Sequence, residues 1–213
     1  MITLALDACT YVGTVAVFED GRLLRAGETE MRGRESERLF PLVLAVIRDA
    51  GHELADLGEV WCGAGPGSFT SLRIAASIAK GVAVGRGIAL RPLSSLGLVV
   101  AANAPAERGR YLAALDALRG QHYVQMFDCQ GDGIVARGEP ALAGSDRLDG
   151  IAREASARIV GPGLHGGWLP HARGANRLPQ ASPVELAAWE PDYGRKAEAQ
   201  SRWEAEHGRS LPV

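Results

Sequence analysis

One supersecondary pattern occurs twice in the sequence, and it constrains the fold more than any other feature. Residues 4–21, LALDACTYVGTVAVFEDG, indicate a strand that ends in aspartate, a turn, a returning strand and a glycine turn. Residues 113–133, AALDALRGQHYVQMFDCQGDG, indicate the same succession. Because a repeated unit is typical of a duplicated domain, we predict two related lobes, over residues 1–105 and 106–213.

The first lobe opens with a hairpin. Asp20-Gly21 lies between apolar runs, which is a strong hairpin signal, so residues 2–29 predict three antiparallel strands. Strands and helices alternate after this opening. The pattern predicts an α/β domain with a mixed β-sheet.

Helical spacing of apolar residues predicts a first helix over residues 35–50, which begins nearer Arg38 if Pro41 lies in the first turn. Residues 68–85 predict a second helix, and residues 87–104 predict a strand, a turn and a third helix.

The second half carries weaker signals. Residues 158–168 indicate a strand that runs into a glycine turn, and residues 172–183 are loop-like. Residues 184–190 and 196–207 have helical patterns.

Net charge and cysteine spacing exclude some classes of function. A formal net charge of −2 and a pI near 6.2 supply no positive field for nucleic acid, so we expect any contact with RNA to be indirect. Cys9, Cys62 and Cys129 are far apart and form no Cys-x-x-Cys pair, which predicts buried thiols rather than a zinc site or a disulfide framework. No cofactor is indicated.

The chain shows no targeting pattern. The N-terminal residues lack a basic stretch before an apolar one, and no apolar run approaches the roughly 20 residues of a membrane span. We therefore expect a cytoplasmic protein with no membrane contact.

The stretch GAGPGSFTS has two interpretations. A phosphate loop would use its glycines, but the stretch has no lysine, and Pro66 removes a backbone donor. In the structural interpretation, Gly65 and Gly67 allow unusual backbone angles, Pro66 stiffens the turn, and Ser68 or Thr70 caps the following helix.

The first two predicted helices are unusually apolar or small. The second is rich in alanine, serine and glycine at roughly four-residue spacing, which allows close helix packing. The first is apolar around most of its circumference. Such helices are either deeply buried or covered by a partner, and the pattern leaves both open.

The sequence resembles the TsaB (YeaZ) family, the small subunit of the bacterial machinery that forms N6-threonylcarbamoyladenosine in tRNA. The resemblance rests on GAGPGSFTSLRI, LALDACT, ALDALRGQHY and EPDYGR. It implies an actin-like (ASKHA) fold of two related lobes, each with a mixed sheet flanked by helices.

The resemblance also implies a non-catalytic subunit. In that family the transferase is TsaD, which forms a heterodimer with TsaB, and the ATPase TsaE joins through the complex. The pairing uses the first two helices, which correspond to residues 35–51 and 68–85. We therefore expect an interface with TsaD, and a homodimer through the same surface in isolation, at Leu39, Phe40, Val43, Ile47, Ile74, Ile78 and Val82.

The alternative is a nucleotide-binding enzyme that uses a cleft between the lobes, with Asp7, Thr10 and Asp116 around a phosphate. A working actin-like loop has glycine two residues after the aspartate, where this chain has Cys9 and Leu118. The cleft would then be vestigial, and the two aspartates would bond nearby backbone as turn residues.

Two further observations bear on the resemblance. No two histidines stand four residues apart, as the metal site of the partner requires, so we expect no metal. Ser71 and Ala75 stand where the family usually has glycine, and Leu118, Gln121 and His122 depart from the usual second-lobe turn.

Overall fold

Two β-sheets that carry helices organise the chain. The computed structural model describes residues 1–32, 38–105, 108–131, 133–194, 203 and 206–208. Residues 35–37 of the first predicted helix, and most of the predicted helix over 196–207, lie outside the described residues.

The first sheet has the order β3-β2-β1-β4-β5. Its strands are β1 (Ile2–Asp7), β2 (Val12–Glu19), β3 (Arg22–Glu30), β4 (Leu57–Gly63) and β5 (Ala89–Leu93). The pairs β1–β2 and β2–β3 are antiparallel, whereas β1–β4 and β4–β5 are parallel. The predicted opening hairpin and mixed sheet are therefore confirmed. Asp20 and Gly21 both have positive φ, as a two-residue hairpin turn requires.

The second sheet repeats this topology over the order β8-β7-β6-β9. Its strands are β6 (Gly109–Asp116), β7 (Gln121–Gln130), β8 (Gly133–Gly144) and β9 (Arg158–Val160). The pairs β6–β7 and β7–β8 are antiparallel and β6–β9 is parallel. The two halves of the sequence pattern thus occupy equivalent strands in the two sheets.

Helices cover both sheets. They are α1 (Leu39–Asp49), α2 (Phe69–Arg86), α3 (Ser95–Ala101) and α4 (Leu148–Glu154). Short 3-10 turns lie at Leu54–Asp56, Ser145–Arg147, His165–Gly167 and Ala172–Arg177. None of the described helices is both long and apolar enough to cross a membrane.

The layers follow from alternation along the strands. Leu4 and Leu6 of β1 face a core formed with α1 and α2, whereas Ala5 faces a second core between the two sheets, which contains α3. Leu112 of β6 faces a third core, on the outer side of the second sheet, together with Leu148 of α4. Cys9, Cys62 and Cys129 are buried free thiols, as predicted.

The last described segment returns to the first lobe. The 3-10 turn Ala172–Arg177 contacts β1, β2, β3 and α3. The predicted helix over 184–190 is wrong, because the Val184 N–H bonds to the Leu90 carbonyl of β5 and the chain forms only a turn there. The division of the lobes at residue 105 stays a prediction.

Candidate functional site

The glycine turn between β4 and α2 is packed inside the protein. Gly65 has a φ of +87°, and a Cβ there would lie 2.0 Å from the carbonyl oxygen of Asp192. A Cβ on Gly67 would lie 2.2 Å from the carbonyl oxygen of Cys9. Glycine is required at both positions by the close approach of another backbone.

The polar backbone groups of this turn bond to the protein. The Ser68 N–H donates to the Cys9 carbonyl at 2.7 Å, and the Gly65 N–H donates to Ser95 Oγ at 3.0 Å. The Asp192 N–H donates to the Ala64 carbonyl at 2.8 Å. Because these N–H groups already have acceptors, the geometry favours the structural interpretation of the turn over the phosphate loop.

The predicted helix cap is corrected. Ser68 occupies the N-cap position of α2, but no side chain caps the helix there. Its hydroxyl bonds to the Ser71 hydroxyl instead, at 3.1 Å, and Thr70 lies inside the helix.

Asp7 is fully buried at the end of β1. Its Oδ1 accepts a hydrogen bond from Ser95 Oγ at 2.5 Å, and its Oδ2 accepts one from the Cys9 N–H at 3.1 Å. Burial raises the pKa of the Asp7 carboxyl, and the hydrogen bonds from Ser95 and Cys9 oppose that rise. A Cβ on Gly63 would lie 1.8 Å from Asp7 Oδ1, so glycine makes room for the carboxylate.

Asp116 occupies the equivalent place at the end of β6, but it is exposed. Its Oδ1 accepts from the Leu118 N–H at 2.7 Å, just as Asp7 accepts from the residue two positions on. Thr10 Oγ1 accepts from the Val12 N–H at 3.1 Å. All three side chains bond within their own turns, which favours turn roles over ligand roles.

The residues predicted for a partner interface divide into two groups. Phe40 is 42% exposed, and Ile74 and Ile78 are half-buried. The side chains of the other four are buried against β-strands of the first sheet, and their place in a partner interface stays a prediction. These four are Leu39, Val43, Ile47 and Val82.

Sequence reasoning missed two exposed apolar residues on the same helices. Leu44 of α1 is 40% exposed and Val84 of α2 is 67% exposed. Their spacing from Phe40 and from Ser77 could have identified them, since residues four or seven apart share a helix face. We call the exposed face formed by Phe40, Leu44, Ser77, Gly81, Val84 and Gly85 the front face.

Two glycines on the front face have no internal explanation. A Cβ on Gly81 or on Gly85 would meet nothing within 4 Å. Glycine inside a helix costs about 0.5–1 kcal/mol relative to alanine. No packing contact of the described residues requires glycine at these two positions.

The charged side chains of α2 are all positive. Arg73, Lys80 and Arg86 lie on α2, which has no acidic residue, and Arg48 lies in the last turn of α1. Lys80 lies over the Trp189 ring and Arg73 over the Phe69 ring, so aromatic side chains hold two of these cations in place.

The positions that depart from the family pattern lie in α2 and in the second-lobe turn. Ser71 and Ala75 are buried and small, so α2 still lies close to the sheet. Leu118 is 61% exposed in the second-lobe turn, and His122 Nδ1 lies 3.2 Å from Ser145 Oγ. Among the described residues no cluster of His, Cys, Asp or Glu could hold a metal ion.

Comparisons with known proteins agree with this architecture. A family model described as TsaD, tRNA N6-adenosine threonylcarbamoyltransferase, matches residues 31–163. The tRNA threonylcarbamoyladenosine biosynthesis protein TsaB of Escherichia coli (strain K12) is 34% identical over 137 residues, which cover 63% of this chain and 58% of that protein. TsaB of Bacillus subtilis (strain 168) is 26% identical over 227 aligned residues, which cover 95% of this chain and 98% of that protein.

A solved structure shows the same fold. YeaZ from Pseudomonas aeruginosa superimposes with a TM-score of 0.72 at 24% identity, over 90% of this chain and 99% of that chain. The two mixed sheets with flanking helices form the actin-like (ASKHA) fold. With a family model that matches more than half of its residues and with TsaB proteins among its relatives, the chain belongs to the TsaB (YeaZ) family.

Proposed function

We propose that this chain is a non-catalytic subunit in the biosynthesis of N6-threonylcarbamoyladenosine in tRNA, and that it docks the TsaD transferase through the front face. The names of its E. coli and B. subtilis relatives support the assignment of this chain to that process. The match to a TsaD family model supports common ancestry with the transferase.

The observation that carries the docking role is the exposed apolar surface on α1 and α2. Phe40 and Leu44 of α1 and Val84 of α2 each expose 40% or more of their surface, and Gly81 and Gly85 of α2 leave room for a second helix. Large exposed apolar side chains on neighbouring helices mark interaction sites more often than free surface. Gly81 has no side chain, so a partner helix can approach the α2 backbone closely there.

The polar residues suggest how the partner is oriented. The cations of α2 lie beside the apolar residues with no acidic residue on that helix. We expect an acidic rim on the docking surface of TsaD, and an association rate that falls as salt rises.

Several consequences belong to the same proposal. TsaE joins through the complex. Docking of TsaD does not require direct contact between this chain and tRNA. In the absence of TsaD, a second copy covers the apolar residues of the front face and forms a homodimer.

The test is co-purification of TsaD with front-face variants. Phe40→Glu and Val84→Glu each place a charge on the front face, and we expect each to weaken the complex by about tenfold or more. Val135→Glu is the matched control, because Val135 is 43% exposed on β8 of the second lobe. Reconstituted tRNA modification should fall with the complex. Wild-type affinity for TsaD in both front-face variants would refute the docking role.

A further inference from the structure

A groove lies in the second lobe, and no front-face residue lines it. It has a volume of about 550 Å³, between α4, the edge strand β9 and the turn that follows β9. Small-molecule sites in proteins occupy about 300–1,000 Å³. Its lining residues are Asp149, Ala152, Arg153, Ala157, Arg158, Ile159, Val160, His165, Gly166 and Trp168.

The groove lies where the described residues that follow β9 form no counterpart of α2. In the first lobe, β4 is followed by α2, which packs beside α1 on the sheet. In the second lobe, β9 is followed by a glycine turn and the 3-10 turn His165–Gly167, and residues 161–194, all of them described, contain no α-helix. Residues 161–194 therefore place no helix beside α4.

The groove is rich in hydrogen-bond donors without acceptors. Arg153, Arg158 and His165 are exposed, and none of them has an ion-pair or side-chain hydrogen-bond partner among the described residues. The indole N–H of Trp168 likewise has no acceptor in the part of the chain that the structure describes. Two arginines that line one groove suit an oxyanion, because a guanidinium group binds phosphate in two-point geometry.

The remaining lining residues indicate what accompanies the oxyanion. Ala152 and Ile159 form an apolar wall, and the half-buried Trp168 is held by the Tyr111 ring at 5.3 Å between centroids. Aromatic side chains bind the flat face of a base. The Asp149 carboxylate also lines the groove and can accept hydrogen bonds from sugar hydroxyls or from an exocyclic amino group.

We propose that this groove binds a nucleotide, with the phosphate on Arg153 and Arg158 and the base against Trp168. The charge and the donors select the phosphate, and the apolar wall with the indole selects the base. The nucleotide is either a free mononucleotide or a nucleotide unit of RNA, because both present the same phosphate and base. The proposal does not depend on docking through the front face.

The test uses the full chain with AMP, with adenosine, and with unmodified tRNA, each titrated by calorimetry. We expect AMP or tRNA to bind, and the double variant Arg153→Gln/Arg158→Gln to weaken that binding about tenfold or more. Trp168→Phe keeps a ring but removes the indole N–H, and we expect a smaller loss. Arg147→Gln is the matched control, because Arg147 is exposed before α4 and does not line the groove.

The outcomes separate the two sources. If the wild type binds AMP and the double variant loses that binding, the ligand is a mononucleotide. If the wild type binds tRNA but not AMP, and the double variant loses the tRNA binding, the ligand is RNA. The proposal is overturned if neither AMP nor tRNA binds, if the double variant binds both as the wild type does, or if adenosine binds as tightly as AMP. Thermal unfolding of each variant checks that the fold is intact.

Discussion

Ser95 Oγ donates a hydrogen bond to Asp7 Oδ1, and this buried contact joins residues that are 88 positions apart in the chain. The same hydroxyl accepts from the Gly65 N–H, and the Ser95 N–H donates to the Gly65 carbonyl. Ser95 therefore links the end of β1 to the turn that starts α2. The helix that carries most of the front face is positioned by an interior hydroxyl.

Ser95→Ala should destabilise the protein by about 2–4 kcal/mol, because it leaves a buried carboxylate and a buried N–H each without one partner. Urea unfolding measures the change. Ser77→Ala removes an exposed hydroxyl on α2 and should stay within about 0.5 kcal/mol of the wild type. Equal effects of the two substitutions would contradict the role of Ser95.

Gly81→Ala should have opposite effects on the isolated chain and on its complex. The added Cβ meets nothing within 4 Å, so the monomer should gain about 0.5–1 kcal/mol of stability from better helix propensity. Affinity for TsaD should fall, because the methyl group occupies the space that we assign to a partner helix. Thermal unfolding of the monomer and titration with TsaD measure the two effects.

Gly63→Ala is the contrasting variant for the same pair of measurements. Its Cβ would lie 1.8 Å from Asp7 Oδ1, so this substitution should destabilise the monomer. A Gly81→Ala variant that binds TsaD as tightly as the wild type would remove Gly81 from the interface.

The stability of the fold should fall in acid through His171. Burial, with a smaller effect of the Arg173 guanidinium, lowers the pKa of His171 to about 4. The unfolded chain takes up a proton at this side chain below about pH 6.5, whereas the folded chain does not until about pH 4. This contribution to stability is complete above pH 6.5 and is lost as the pH falls towards 4, by at most about 3 kcal/mol.

His171→Asn should flatten that acid dependence. Asparagine cannot titrate, and its oxygen can accept the Arg173 N–H that now bonds to His171 Nδ1 at 3.0 Å. Glu28 Oε2, 3.9 Å from His171 Nε2, favours the protonated ring and so reduces the effect. Denaturation of the variant and of the wild type at several pH values measures it. An unchanged slope in His171→Asn would assign the acid sensitivity to other groups.

Arg91→Met should destabilise the protein by about 3 kcal/mol. Arg91 Nε donates to the buried Glu59 carboxylate at 2.9 Å, and removal of the guanidinium leaves that charge without its counterion. The matched control is Arg22→Met, which breaks an exposed ion pair with Glu19 and should cost less than about 0.5 kcal/mol. Chemical denaturation compares the two variants, and similar losses would show that the Glu59 site is solvated.

Local patterns were sufficient to predict much of the fold. The Asp20-Gly21 turn sets the opening hairpin through positive backbone angles, which only a few residue types accept. The start of α1 follows from Pro41, which lies in its first turn. The repeated aspartate turns predicted equivalent strands in both sheets, because the same local hydrogen bond recurs at Asp7 and Asp116.

Other features depend on contacts that are distant in sequence. α1 carries apolar residues both on the face towards the sheet and on the face towards solvent. The spacing therefore could not tell that Val43 faces the sheet while Leu44 faces solvent. The segment after Val184 has a helical pattern, but its backbone bonds to β5 instead. The groove beside α4 depends on how residues 161–168 turn away after β9, which no local pattern reports.

The segment that braces α2 is made long after the helix itself, because Asp192 and Tyr193 follow it far along the chain. Tyr193 packs on Phe69 with ring centroids 4.5 Å apart, and the Asp192 N–H closes on the glycine turn through the Ala64 carbonyl. A nascent chain halted before these residues has made every part of the front face but lacks its brace. Synthesis order alone therefore separates the making of the front face from the bracing of the helix that carries most of it.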